Sequence, residues 1–297
     1  MTVCILRASP LSTIQDLGRP GLLAQGISAS GPMDRGAFDA AGRLAGASGD
    51  AGIEFTRAGI ELKVEDGSFR IGWAGGAFTV AINGSLETWP GGALVRSGDV
   101  ISITPGAAGN YGYLRFGPRL DLPEVMGSRA TSTRARLGGL DGRALMAGDV
   151  LALQGSGVEP RNVAMPEASD GSIRFVWGIH AEAFVAEVRQ WFVTEMFRIS
   201  PVMDRMGVRL EDRSGLFSGA SILSLISDPI LPGDIQILGD GTPIVLMRDH
   251  QPTGGYPRIG TVIAADLDRF AQMRAGREIA FSPVTVEHAQ RLLRSRP

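Results

Sequence analysis

One cysteine in 297 residues, Cys4, leaves no partner for an intramolecular disulfide, and a lone thiol fits a reducing compartment. Histidine is almost as scarce. His180, His250 and His288 lie too far apart in sequence to show metal-ligand spacing, and no paired-cysteine motif exists, so no metal site is expected. No stretch approaches 18 apolar residues, which excludes a membrane-spanning helix. The start, MTVCILRASPLSTIQDLGRP, has no charged region followed by a long apolar one, so the chain is expected in the cytoplasm. Strong charge of either sign is missing too: a formal net charge of -2 provides no overall pull towards nucleic acid or a membrane surface. Several catalytic signatures are absent, among them GxxxxGK[ST], HExxH and GxSxG.

Glycine, by contrast, is abundant: 41 residues, scattered among short apolar runs such as IELKV (60–64), FTVAI (78–82), DVISI (99–103), DVLAL (149–153) and PIVLM (243–247). β-Branched segments broken by turn residues at intervals of about 8–12 predict a mainly β protein of barrel or sandwich type. Helical spacing predicts few helices, over 34–46, 181–197, 266–274 with Gly276 as the stop, and 284–294. GWAGGAF (72–78) does not match a dinucleotide-binding loop and reads as a strand crossed closely by other backbone.

One turn signature occurs four times: VRSGDVISI (95–103), LMAGDVLAL (145–153), LPGDIQIL (231–238) and MRAGREIAF (273–281). Each places Gly ahead of an apolar strand, as a tight turn into a sheet requires. With the echoes SGPMDR (30–35) and SPVMDR (200–205), and IEFTRAG (53–59) and RLEDRSG (209–215), the pattern points to duplication. Two related β lobes are expected, 1–155 and 172–297, joined by a Pro-, Gly- and Ser-rich linker over 156–171.

Candidate chemistry gathers in loops. DHQPTGGYPRIG (249–260) follows a buried-strand pattern and offers His250, the neutral donors and acceptors of Gln251 and Thr253, the amides of Gly254 and Gly255, and the hydroxyl-bearing ring of Tyr256. Its glycines permit backbone angles closed to other residues, and its prolines fix theirs. In SGPMDR, Ser30 precedes the turn and Asp34 is placed either to cap the following helix or to fix a loop at a barrel mouth. Asp204-Arg205, the second copy, opens a strand, so a helix cap does not explain both. The guanidinium there serves either a carboxylate ligand or an internal ion pair. GSRATSTRARLGG (127–139) carries Arg129 among small hydroxyl residues, an anion site or a solvated loop. This inventory suits a small amide or carboxylate ligand better than a large apolar one.

ISASGPMD (27–34), STIQDLGRPG (12–21), the run from PEVMGSRATS to GDVL (123–151), DRMGVRLE (204–211) and QPTGGYPRIGTVIAADL (251–267) resemble the KipA-like family. That family includes the C subunit of prokaryotic ATP-dependent 5-oxoprolinase and the carboxyltransferase region of urea carboxylase, also labelled allophanate hydrolase subunit 2. The resemblance implies two cyclophilin-like β-barrels and hetero-oligomeric partnership with a KipI-like B subunit. As part of an enzyme the chain would act with the B and A subunits of the oxoprolinase, which together open 5-oxo-L-proline to L-glutamate using ATP held by the complex, with no cofactor on this chain. Two other readings follow: a carboxyltransferase component for urea or another amide, with biotin on another chain, and a regulator that binds a KipI-like kinase inhibitor. The first is preferred. This chain departs from the family in having Gly117-Pro118-Arg119-Leu120-Asp121 for Gly-Gly-Ile-Asp, Pro252 for Thr, and Gly42-Arg43 near where the family commonly has an Ala-Asn pair.

Overall fold

The short apolar runs are strands. A computed structural model describes the chain apart from residues 162, 164–170, 218–224 and 296–297. Two compact units form, Met1–Arg19 with Ser30–Glu167 and Pro20–Ala29 with Ala168–Pro297. Mainly β structure with a few short helices, in two curled sheets, is as expected.

In the first unit the elements are β1 (Thr2–Ala8), β2 (Thr13–Gln15), α1 (Arg35–Ala45), β3 (Gly52–Thr56), β4 (Ile60–Asp66), β5 (Ser68–Ile82), β6 (Ser85–Glu87), β7 (Gly91–Arg96), β8 (Val100–Phe116), β9 (Arg119–Leu120) and β10 (Val150–Gln154). The sheet order is β2-β3-β8-β4-β1-β10-β9, with β5 along the other edge of β8 and itself flanked by β6 and β7. From β8 the path runs through β4, β1 and β10 to β9, yet only Gly117 and Pro118 separate the end of β8 from β9. So short a connection holds only if the sheet is rolled. Its inner face is apolar by alternation: Ile60, Leu62 and Val64 of β4 are buried and Glu61 and Lys63 are not.

The second unit contains β11 (Ile173–Trp177), α2 (Ala186–Thr194), β12 (Phe197–Met203), β13 (Gly207–Glu211), β14 (Asp228–Pro229), β15 (Asp234–Ile237), β16 (Pro243–Leu246), β17 (Thr253–Gly254), β18 (Arg258–Val262), α3 (Ala264–Ala271), β19 (Glu278–Ile279), β20 (Phe281–Pro283) and α4 (Val286–Arg294). Its main sheet runs β19-β12-β13-β16-β15-β18-β11-β20. Both edge strands come from one continuous segment in which Ala280 alone lies between them, so this sheet too curls until its edges meet. Phe175, Phe192, Phe197, Phe217 and Phe281 fill the interior, with Phe192 stacked on Phe281 at 5.0 Å between ring centroids.

The recurrent turns have one geometry. Gly98, Gly148, Gly233 and Gly276 take φ of 94°, 90°, 95° and 89°, the left-handed value that the third residue of a type II turn needs. Each glycine N–H donates to a neighbouring strand, at Val64, Ile5, Leu246 and Ile199 respectively. In the first three the following Asp accepts a bond from the backbone N–H three residues earlier, at Arg96, Met146 and Leu231. The fourth has Arg277 there and closes through its backbone alone.

Several boundaries differ from the sequence reading. Gly276 is not the stop of α3, which ends with Gln272 as its C-cap; it belongs to the turn before β19. The helix expected over 181–197 is shorter, since Ala181–Ala183 forms a single 3-10 turn and Glu195 is extended. The SGPMDR echo is not a structural repeat: Asp34 caps α1, whereas SPVMDR is the end of β12 and the hairpin after it, with a register shift around Pro201. Part of the linker, 162 and 164–170, lies outside the described residues. Its start is held, because Val158 and Arg161 donate N–H bonds to Gly46 and Arg43 at the end of α1, at 2.8 and 2.9 Å.

Candidate functional site

Each unit carries a buried polar layer on the sheet face turned away from its apolar core. In the first unit Ile14, Ile53, Leu114 and Trp73 line up across β2, β3, β8 and β5, all within the core. One residue along, alternation turns the side chains to the opposite face. There Thr13, Glu54, Tyr113 and Ala74 form one row, while Gln15 pairs with Gly52 and Arg115 with Gly72. Helix α1 covers this face, resting its backbone on Gly72, where a Cβ would run into Ala41 and Ala45.

The polar side chains of that layer pin the SGPMD loop one amide at a time. Gln15 Oε1 accepts from Gly31 N at 3.1 Å, Glu54 Oε2 from Met33 N at 2.8 Å, and the Tyr113 hydroxyl oxygen from Asp34 N at 2.7 Å. Burial, and then the charges of Glu54 and Asp34, push the Tyr113 phenol well above its ordinary range, so it stays protonated and bonded to Glu54. Asp34 Oδ1 in turn accepts from Ala37 N at 2.9 Å, the helix cap. Ser30 sits in left-handed conformation with φ 57°, and its buried hydroxyl has no partner among the described residues; the Thr131 hydroxyl, on the far side of Gln15, is in the same state.

Arg129 is committed elsewhere in this unit. Its guanidinium pairs with Asp50 at 3.0 Å and Glu124 at 2.9 Å, and its N–H donates to Asp16. Asp16 ties 127–129 to the 12–19 segment, accepting also from Ser128 Oγ at 2.6 Å and Gly18 N at 2.8 Å.

In the second unit the polar layer is built on β15 and β18. Ile235 and Ile237 face the core, so Asp234 and Gln236 face the other way. Arg258 Nη1 donates to Asp234 at 3.2 Å and to Pro229 O at 2.8 Å, and Nη2 pairs with Asp228. Gln236 is fully buried, with Nε2 reaching Tyr256 O at 3.4 Å and Oε1 without a partner among the described residues.

The DHQPTGGYPRIG loop lies over this layer. Arg205 and Asp249 form a buried two-pronged ion pair, Nε to Oδ2 at 2.8 Å and Nη2 to Oδ1 at 3.0 Å, so the guanidinium serves an internal carboxylate. Asp204 is exposed and closes the β12–β13 hairpin by accepting from Met206 N and Gly207 N. Thr253 and Gly254 pair with Pro229 and Asp228, and Gly255 O accepts from Leu225 N. The double glycine serves approach, since neither residue has positive φ. A Cβ on Gly254 would lie 2.5 Å from Gln236 Nε2, and one on Gly255 2.8 Å from Leu225 O. Gln251 is half-buried, while Thr253 and the Tyr256 ring are exposed.

His250 is buried, and its Nδ1 meets the Gln251 carbonyl at 2.6 Å. A carbonyl only accepts, so Nδ1 carries the proton and Nε2 is the free acceptor of the neutral ring. Burial foremost holds this imidazole below the usual histidine range, against the upward pull of the Gln251 carbonyl, Asp234 and Asp249. His180, whose Nδ1 accepts from Arg258 N, is shifted the same way by burial and Arg258. With the folded value depressed, the unfolded chain binds the proton first as pH falls. Stability is therefore full above about pH 6.5 and declines below it, by at most about 1.4 kcal/mol per pH unit for one proton. Urea midpoints should fall between pH 7.5 and 5.5, and His250→Asn should flatten that fall; an unchanged slope would show that His250 is not the group.

The structure thus brings Ser30 and Asp34 into one pinned loop, and places His250, Gln251, Thr253, Gly254, Gly255 and Tyr256 on one covering segment, which Arg205 holds from the β12–β13 hairpin through Asp249. Gln15, Glu54, Tyr113, Arg115, Asp234, Gln236 and Arg258 were missed by the sequence reading. The available signal was polar residues at alternate positions of apolar strands, as in TIQ and IEF. Among the described residues no group of three or more His, Cys, Asp or Glu is placed to hold a metal ion, and no helix is long and apolar enough to cross a membrane.

The family description "Carboxyltransferase domain, subdomain A and B" matches residues 25–283. The chain belongs to this carboxyltransferase-domain family. Family members of similar length are the 5-oxoprolinase C subunit of Haemophilus influenzae, 33% identical over 98% of this chain and 94% of that protein, and its Escherichia coli K12 counterpart, 32% identical over 96% and 92%. The crystal structure of Kluyveromyces lactis urea carboxylase superimposes with a TM-score of 0.90 at 26% identity, covering 99% of this chain and 28% of that much longer one.

Proposed function

We propose that the chain is the C subunit of an ATP-dependent 5-oxoprolinase, acting with a KipI-like B subunit and an A subunit to open 5-oxo-L-proline to L-glutamate. The observation that carries this reading is length-for-length likeness to stand-alone 5-oxoprolinase C subunits, over 94% of one and 92% of the other. The urea-processing relatives contain the same domain as under a third of a longer chain. The site chemistry fits a lactam. Charged groups in and over the second unit's layer pair with one another, Arg258 with Asp234 and Asp228 and Arg205 with Asp249, which leaves Gln236 Oε1 and His250 Nε2 as neutral acceptors and the Gln251 amide at the loop entrance. These suit the N–H and C=O of a small cyclic amide better than a phosphate. Opening the ring adds water across the C–N bond, and ATP supplies the driving force on another chain. The reaction belongs to the cytoplasm, where the single cysteine stays reduced.

Reconstitution tests it. Co-expressed A, B and C subunits should release glutamate and ADP from 5-oxo-L-proline, and Gln251→Ala in C should slow turnover at least about tenfold, the effect of one lost hydrogen bond. Full turnover in that variant would remove the loop from the mechanism.

Likeness to urea carboxylase supports a second reading, a carboxyltransferase component receiving a carboxyl group from biotin on another chain. Inhibition of the native activity by avidin would favour it, and insensitivity would count against it.

A further inference from the structure

The first unit buries a guanidinium with no carboxylate against it among the described residues. Arg115 is 6% exposed, projects from β8 beneath α1 and stacks its guanidinium on Phe38, with Cζ 4.2 Å from the ring centroid. Its one hydrogen bond there runs from Nη2 to Gly49 O at 2.7 Å, and its Nε is buried without a partner. The carboxylates that act on it through space are all engaged elsewhere: Asp50 with Arg129, Asp39 with Arg43, and Asp16 with Gly18, Ser128 and Arg129. Burial lowers its pKa to about 10, so it remains charged at neutral pH. The buried arginines of the second unit are in a different state. Arg205, Arg248 and Arg258 each have an Asp oxygen within 3.3 Å.

A buried charge without a counter-ion is costly, and chains normally pair it or replace it. Here the surroundings are instead cut away to admit it. A Cβ at Gly52 would collide with the Arg115 side chain, and one at Gly42 would come within 3.1 Å of Nη1. Nη1 faces that glycine and donates to no acceptor among the described residues.

We propose that Arg115 is a carboxylate-recognition residue and that the ligand supplies the missing counter-ion. The inference rests on the lactam reading above to this extent: 5-oxo-L-proline carries a carboxylate beside its amide, and a residue that selects the acid over the bare lactam would set specificity. Arg115 is thereby a binding residue and takes no part in proton transfer.

The test uses the full chain with three probes: 5-oxo-L-proline, 2-pyrrolidinone (the same lactam without a carboxylate) and acetate. Calorimetric titration and thermal shift should show wild type binding 5-oxo-L-proline at least about tenfold more tightly than 2-pyrrolidinone, as a charge-assisted contact requires. Arg115→Met should abolish that preference while leaving the unliganded Tm equal or higher, because the apolar chain removes an uncompensated charge. Gly42→Ala, which crowds Nη1, should weaken the preference without removing the charge. Wild-type affinity for 5-oxo-L-proline in Arg115→Met, a lowered Tm in that variant, or no carboxylate-dependent shift in wild type would each overturn the proposal. If acetate acts through Arg115 but 5-oxo-L-proline gains nothing over acetate, the subsite stands and the lactam reading falls. If 5-oxo-L-proline binds regardless of Arg115, the lactam reading stands and the subsite falls.

Discussion

Asp249→Ala is expected to cost the second unit about 3–5 kcal/mol, the penalty of leaving one partner of a buried ion pair without the other. Arg205 and Asp249 are both nearly inaccessible and meet through two hydrogen bonds, so water cannot take the place of the lost carboxylate. The damage should reach function as well. Asp249 N donates to Arg205 O at 2.8 Å, and the next residues are His250 and Gln251. Replacing both partners by apolar residues, Arg205→Met with Asp249→Leu, should recover most of the stability, since a packed apolar pair avoids the desolvation cost. Urea denaturation of the single and double variants checks this. A single variant within about 1 kcal/mol of wild type, on the order of an exposed pair, would show the site to be wetter than described.

Gly72→Val should be comparably severe, about 3 kcal/mol or more, and should act in the first unit. The position takes ordinary backbone angles, so the cost is steric. Any Cβ there meets the backbone of α1 at Ala41 and Ala45, which cannot swing aside as a side-chain end can. Helix α1 must lift, and it is the cover over Tyr113 and Arg115. Hydrogen exchange should therefore report α1 amides losing protection beyond the loss of global stability. Full protection of α1 in this variant would mean that the helix does not bear on the strand.

Much of this protein follows from local chemistry. Tight turns at four positions need left-handed backbone, which glycine supplies wherever the strands are placed, and Asp34 ahead of an apolar periodic run caps a helix with no knowledge of what that helix covers. Strand alternation likewise marks which residues enter a core. The candidate loops were legible as ordered and polar for the same reason, since Gly, Pro and short hydrogen-bonding side chains act over a few residues. Their roles were not. Gly254 and Gly255 read as sources of unusual backbone angles, but Gln236, eighteen residues before Gly254 in the chain, made the first of them necessary by proximity. Arg205 read equally well as ligand-binding or internal until Asp249, forty-four residues away, occupied it.

What only the tertiary structure decided is which face of each sheet is wet inside. Gln15, Glu54, Tyr113 and Arg115 stand in strands whose alternate residues are apolar, a pattern that ordinarily sends polar side chains to water. The rolled sheet and the helix laid on Gly72 bury that second face instead. Charge pairing is then settled between strands distant in sequence, by register and cover, and no local pattern encodes whether a buried guanidinium will find a carboxylate there.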